Sequence, residues 1–261
     1  MMREPILKYY DMTPNITAFS STRHGGFSEG NYASFNINQY CGDNNTHIIE
    51  NRELLCKKLH IKGSRLIMPH QVHGVNIKLI DESFFSKTEN EQRISLEGVD
   101  ALMTQERYTC LGISTADCVP ILIYDHEKHA IAAVHAGWRG TQQRIVEKTI
   151  KEMSRCFCSA ATSLLATIGP SIGPDAFEVG PEVYESFLLS GFPMEKISKK
   201  IAGKWHIDLW QANAISLENM GVLRQNIQIS GICTYTHSND FFSARKLTIN
   251  SGRILSGIIQ R

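Results

Sequence analysis

The run CLGISTADCVPILIYDHEKHAIAAVHAGWRGTQQRIVEKTIKEM, residues 110–153, decides the fold. Three apolar stretches of strand length follow one another in it: CLGIST (110–115), VPILIYD (119–125) and AIAAVHA (130–136). Only His126, Glu127, Lys128 and His129 separate the second from the third, which predicts a hairpin. The period then changes. Ile145, Val146, Ile150 and Met153 fall at helical spacing with charges between them, so a helix is expected over residues 141–153. Hairpins mixed irregularly with helices argue for an α+β fold with mixed β-sheets covered by helices, and against a doubly wound parallel sheet.

To either side the signals are of the same kind. Ile48, Ile49, Arg52, Leu55, Cys56 and Leu59 predict a helix after Asp43, with Gly63 as its stop. Residues 66–68 and 75–80 read as strand pieces flanking PHQVHG. SLLATIG reads as a strand entering the Gly/Pro-rich loop PSIGPDAFEVG, residues 181 onward and 208–220 as helices, and IQISGICTY as a late strand. No repeat or low-complexity linker divides the 261 residues, so one domain spanning 1–261 is expected.

Composition excludes several function classes. A net charge of +1 with no basic block argues against a nucleic-acid binder. No apolar run is long enough to span a bilayer, and the N-terminal stretch has no signal-peptide pattern. Seven irregularly spaced cysteines suggest reduced thiols, hence a cytoplasmic protein. No obligate protein partner is predicted.

Three segments place metal-capable side chains at strand ends: QVHG with His73, ADCVP with Asp117 and Cys118, and HAGWRG with His135 and Arg139. Two imidazoles and a thiolate are borderline-soft donors suited to zinc. Three protein ligands leave a fourth position open, as in a catalytic site. His70 lies three residues before His73. On an extended backbone the two face opposite ways, so His70 is expected beside the ligands rather than among them. Asp117, Glu178 and His70 are candidates for proton transfer. The other histidines, among them His24, His47, His60, His126, His129 and His206, read as ordinary solvated or hydrogen-bonded residues. Cys56, Cys110, Cys156 and Cys158 read as small core residues. Arg139, Arg23 in TRHGG and Arg245 in FSARK are candidate anion-binding cations, and Cys233 is expected near the site.

QVHG, ADCVP, HAGWRGT and IGPSIGPDAFEVG together resemble the bacterial YfiH/YlmD-type family, formerly called laccase-domain or multicopper polyphenol oxidase proteins. The likeness runs from residue 22 to residue 246, with Phe177 where that family commonly carries Tyr. It implies a four-layer α/β/β/α domain and zinc bound by His73, Cys118 and His135. The implied activities are phosphorolysis of adenosine, inosine, guanosine and methylthioadenosine, with phosphate as co-substrate, and deamination of adenosine. The nucleobase-deaminase signature H-x-E with P-C-x-x-C is absent, so such a site would be independently built. Three other readings use the same residues. One is a copper oxidase, disfavoured because the ten histidines include no His-x-His pair. The others are a metal-free hydrolase with Cys118 as nucleophile and His135 as base, and a peptidoglycan-precursor editing factor.

Overall fold

The computed structural model describes residues 3–261. The central hairpin forms as the sequence predicts: Val119–Asp125 pairs antiparallel with Ala130–Ala136. Every residue of both strands is buried. Continuous apolar strands of this kind belong in a sheet covered on both faces.

Alternate residues of these strands serve different layers. Val119, Ile121, Ile123, Ala132 and Val134 pack with Ile145, Val146, Ile150 and Met153 of the helix Ile145–Phe157, and with the helix Leu209–Asn219. Leu122, Tyr124, Ile131 and Ala133 face the other way. They meet Ile16, Ala18, Leu111, Ile113 and Ile258 of a second sheet. The far face of that second sheet presents Phe19, Cys110, Leu255 and Ile259 to Leu55 and Leu59 of the helix Asn45–Leu59. The layers therefore run helix, five-stranded sheet, six-stranded sheet, helices, which is the α/β/β/α order the resemblance implies. Each fully buried Ile, Leu or Phe contributes roughly 1.5–3 kcal/mol relative to exposure.

The six-stranded sheet has the order Ile227–Ile229, Leu164–Ile168, Val119–Asp125, Ala130–Ala136, Ala101–Thr104, Ile77–Leu79. The five-stranded sheet runs Leu7–Tyr10, Ile16–Ser21, Ile254–Gln260, Cys110–Thr115, Leu66–Ile67. Both are mixed, with parallel and antiparallel neighbours. A small three-stranded sheet contains Glu178–Val179, Lys204–Ile207 and Ser198–Ile201.

Several expectations are corrected. The helix expected over 141–153 is two helices, Trp138–Gln142 and Ile145–Phe157, because Arg144 takes a left-handed backbone at φ 65°. The late strand stops at Ile229, and beyond it Cys233 makes only an isolated bridge to Ser171. The first helix ends at Leu59, capped by His60 at φ 51°, and Gly63 instead opens a short 3-10 turn. The strand pieces at 66–68 and 75–80 shorten to Leu66–Ile67 and Ile77–Leu79. Cys158 is exposed in the cap of its helix, and Cys156 is only half-buried. Among the described residues no helix is long and apolar enough to cross a membrane.

Candidate metal centre

Strand register brings four chain segments together at one end of the strands of the six-stranded sheet. Val119 pairs with Ala136 and Pro120 with His135, so Cys118 enters the hairpin where Gly137 leaves it. Ala101 pairs with Val134, which sets Asp100 beside His135. The His135 N–H donates to the Asp100 carbonyl at 2.8 Å. Ile77 pairs with Ala101, so the loop carrying His73 reaches the same end.

There the ligand atoms of His73, Cys118 and His135 lie within 4.8 Å of one another. The cluster grades from exposed His73 through half-buried Cys118 to buried His135, leaving the His73 side open. Gly137 forms its floor. A Cβ added there would meet Cys118 Sγ and His73 Cδ2 at 3.1 Å each, and His135 Nε2 at 3.8 Å.

Asp100, which no sequence motif singles out, organises this site. It is fully buried. Its Oδ1 accepts from His73 N at 3.0 Å and lies 2.7 Å from His135 Nδ1. Its Oδ2 accepts from Gly74 N at 2.7 Å and from Val72 N at 3.3 Å. These bonds hold His73 in a left-handed conformation, φ 63°, which costs a non-glycine residue roughly 1–2 kcal/mol. The turn swings the His73 ring to 4.9 Å from that of His135, edge on. With a proton on Nδ1 donated to Asp100, His135 turns its Nε2 lone pair toward the cluster.

Electrostatics follow from this packing. Burial alone would push the Cys118 thiol up, but the charge and hydrogen bonding of His135, with His73, outweigh it and hold the thiol at about 6. Burial opposes charging of His135, yet Cys118 and Asp100 raise it to about 9. Burial likewise works against Asp100 ionisation, and His135 reverses the effect, so its carboxyl sits below the usual range. Borderline-soft N, N and S donors, an imidazole oriented by a buried carboxylate, and a floor without a side chain fit a divalent ion held by three protein ligands.

The cluster opens into a cleft of about 270 Å3 that also takes in Tyr40, His70, Gln71, Thr115 and Arg253. Ligand pockets run from roughly 300 to 1,000 Å3, so this one is small. The Gln71 amide is fixed against Ser114, donating to its carbonyl at 2.9 Å and accepting from its N–H at 2.8 Å. His70 is beside the ligands, not among them. Its Nδ1 lies 2.6 Å from Glu97 Oε2, and its ring stacks on Tyr40 at 4.0 Å and 21°. Both rings line the cleft.

The remaining sequence candidates lie outside the cleft lining. Asp117, at φ 82°, ties loops together: Oδ1 accepts from Thr234 Oγ1 at 2.7 Å and Oδ2 from Arg245 N at 2.7 Å. Arg23 donates to the carbonyls of Ala33 and Ser238. Arg139 is exposed over the Trp138 ring. Arg245 donates to the Glu178 carbonyl at 3.2 Å, and the Glu178 carboxylate pairs with Lys204. Cys233 is half-buried, and its Sγ accepts from Gly173 N at 3.2 Å.

Known proteins bear on this arrangement in three ways. The sequence profile described as "Multi-copper polyphenol oxidoreductase laccase" matches residues 17–261. A protein of Bacteroides thetaiotaomicron named purine nucleoside phosphorylase is 48% identical over 94% of this chain and 92% of its own length. Adenosine deaminase RL5, from an unknown prokaryotic organism, is 39% identical over 98% of each chain. The crystal structure of YlmD from Geobacillus stearothermophilus superposes with a TM-score of 0.89 at 29% identity, covering 98% of this chain and 99% of that one.

Proposed function

The chain belongs to the family described as multi-copper polyphenol oxidoreductase laccase, and from that premise we propose that it is a zinc-dependent purine nucleoside enzyme. The proposed reactions are phosphorolysis of adenosine, inosine, guanosine and methylthioadenosine, and deamination of adenosine. The observation that carries the reading is the His73–Cys118–His135 cluster in a cleft lined by the stacked Tyr40 and His70 rings. The names of the relatives, a purine nucleoside phosphorylase and an adenosine deaminase, support it.

His73, Cys118 and His135 would hold the ion. Zinc supplies Lewis-acid polarisation and makes a bound water acidic enough to ionise near neutral pH. The chain's own residues do the rest. Asp100 fixes the His135 ring, so its Nε2 faces the cluster without rearrangement. Tyr40 or His70, stacked on each other at the cleft, would offer its outer ring face to a planar base. In phosphorolysis a phosphate oxygen bonds to the sugar C1′ as the C1′–N9 bond breaks, its electron pair passing to the base, which takes up a proton. In deamination water adds at purine C6 and the C6 amine leaves as ammonia.

Among the described residues this is the one grouping of three or more His, Cys, Asp or Glu donors placed to hold a metal. That supports a single ion and weighs against a multicopper oxidase. A second reading draws on the Asp100–His135–Cys118 line, which also suits a thiolate nucleophile with an oriented base and no metal.

The test is a chromatographic assay of the purified, metal-analysed protein on adenosine with and without phosphate, beside His135→Ala. Adenine with ribose 1-phosphate only when phosphate is present, and inosine without it, both lost in the variant, are the expected products. Unchanged adenosine under both conditions, with one zinc bound per chain, refutes the nucleoside assignment.

A further inference from the structure

Phosphorolysis needs a cation in the cleft, and the three arginines that the sequence suggests for it all lie outside the lining. The lining holds one Arg or Lys, Arg253, and no Asp or Glu. Arg253 stands immediately before the strand Ile254–Gln260, at the end of that strand nearest the metal cluster.

Its guanidinium is held by its own chain. Nη1 donates to the carbonyls of Ser251 and Gly252, and Nη2 donates to the carbonyl of Ile249. Of the five N–H groups of an arginine, these bonds use three. Nε–H and one of the two Nη2–H groups find no partner among the described residues. Two such donors can bond the oxygens of a phosphate, and the guanidinium is fixed before any ligand arrives.

Ile254 pairs with Thr115, and Thr115 and Arg253 both line the cleft, so strand register sets Arg253 at its rim.

We propose that Arg253 is the phosphate-binding element of the cleft, through its unpartnered Nε–H and Nη2–H groups. This rests on the nucleoside phosphorylase reading for its biological purpose, but the binding of inorganic phosphate is testable by itself.

The experiment is isothermal titration of the zinc-loaded protein with inorganic phosphate, for wild type, Arg253→Lys and Arg253→Gln, together with steady-state kinetics. Phosphate affinity is expected to fall about 10- to 100-fold in Arg253→Lys and at least as far in Arg253→Gln. KM for phosphate should rise in parallel, while KM for adenosine in the phosphate-free deamination stays within twofold. A structural role alone would move both constants together. Zinc content and phosphate-free deamination at wild-type levels show that a variant is folded. Phosphate affinity unchanged in Arg253→Gln, or no phosphate binding by wild type, overturns the proposal. Arg253-dependent phosphate binding by a protein that turns over no nucleoside leaves the element standing and removes the function reading instead.

Discussion

Asp100→Asn is the sharpest single perturbation of the site, because one buried carboxylate faces four nitrogens. The amide keeps the shape but has only one acceptor oxygen. If that oxygen takes the Oδ1 place, the NH2 group faces the N–H groups of Gly74 and Val72. If it takes the Oδ2 place, the NH2 group faces His73 N–H and His135 Nδ1. Either way two nitrogens lose an acceptor in a fully buried position. Losing charge-assisted bonds costs roughly 1.5–3 kcal/mol each, and partial relaxation brings the sum to about 3 kcal/mol. For a chain of this size about 2–4 °C accompanies each kcal/mol, so Tm should fall by about 6–12 °C. Metal affinity should fall about 10- to 100-fold, because the carboxylate no longer orients His135 or holds His73 in its left-handed turn. Competition against a chelating dye measures the affinity, and thermal melts with and without chelator measure the stability. Zinc affinity within twofold of wild type would refute the reasoning that Asp100 builds the site.

Three further outcomes are expected. Gly137→Ala, whose new Cβ would press on Cys118 Sγ and His73 Cδ2 at 3.1 Å, should weaken zinc binding at least tenfold with a small change in Tm; dialysis against zinc followed by metal analysis checks it. Tyr40→Ala should raise KM for adenosine about 5- to 100-fold, the worth of one base–aromatic stack, with zinc still at one per chain. Asp125 accepts from Glu127 N, Lys128 N and Ser163 Oγ, and although burial opposes its ionisation these donors help hold its carboxyl below the usual range. Its folded pKa lies below the unfolded one, so its contribution is complete above about pH 4 and is lost as pH falls through the folded value. Asp125→Asn should therefore cost about 2 kcal/mol at neutral pH, and urea titrations should show the gap to wild type closing on acidification.

What the sequence discloses, and what it hides, divides along physical lines. The strands 119–125 and 130–136 are readable because both faces are covered and every position but Asp125 and His135 is apolar or aromatic. The three candidate ligands are readable because the hairpin's open end and the loop ending in Gly74 carry them. Asp100 is hidden: its role comes from the pairing of Ala101 with Val134, a long-range register that no local pattern announces. Arg253 is hidden for the same reason, since only the pairing of Ile254 with Thr115 brings it to the cleft. The break at Arg144 carries no Gly or Pro to mark it. The overlong reading of 227–235 treats an apolar run as a strand where the chain has already left the sheet.

The account's central claim is tested most directly by zinc reconstitution. Metal-free protein is titrated with zinc while products from adenosine and phosphate are counted. The account predicts turnover that rises linearly and saturates at one zinc per chain, with no recovery in His73→Ala. Full turnover in the metal-free protein would contradict it and leave Cys118, His135 and Asp100 to act without a metal.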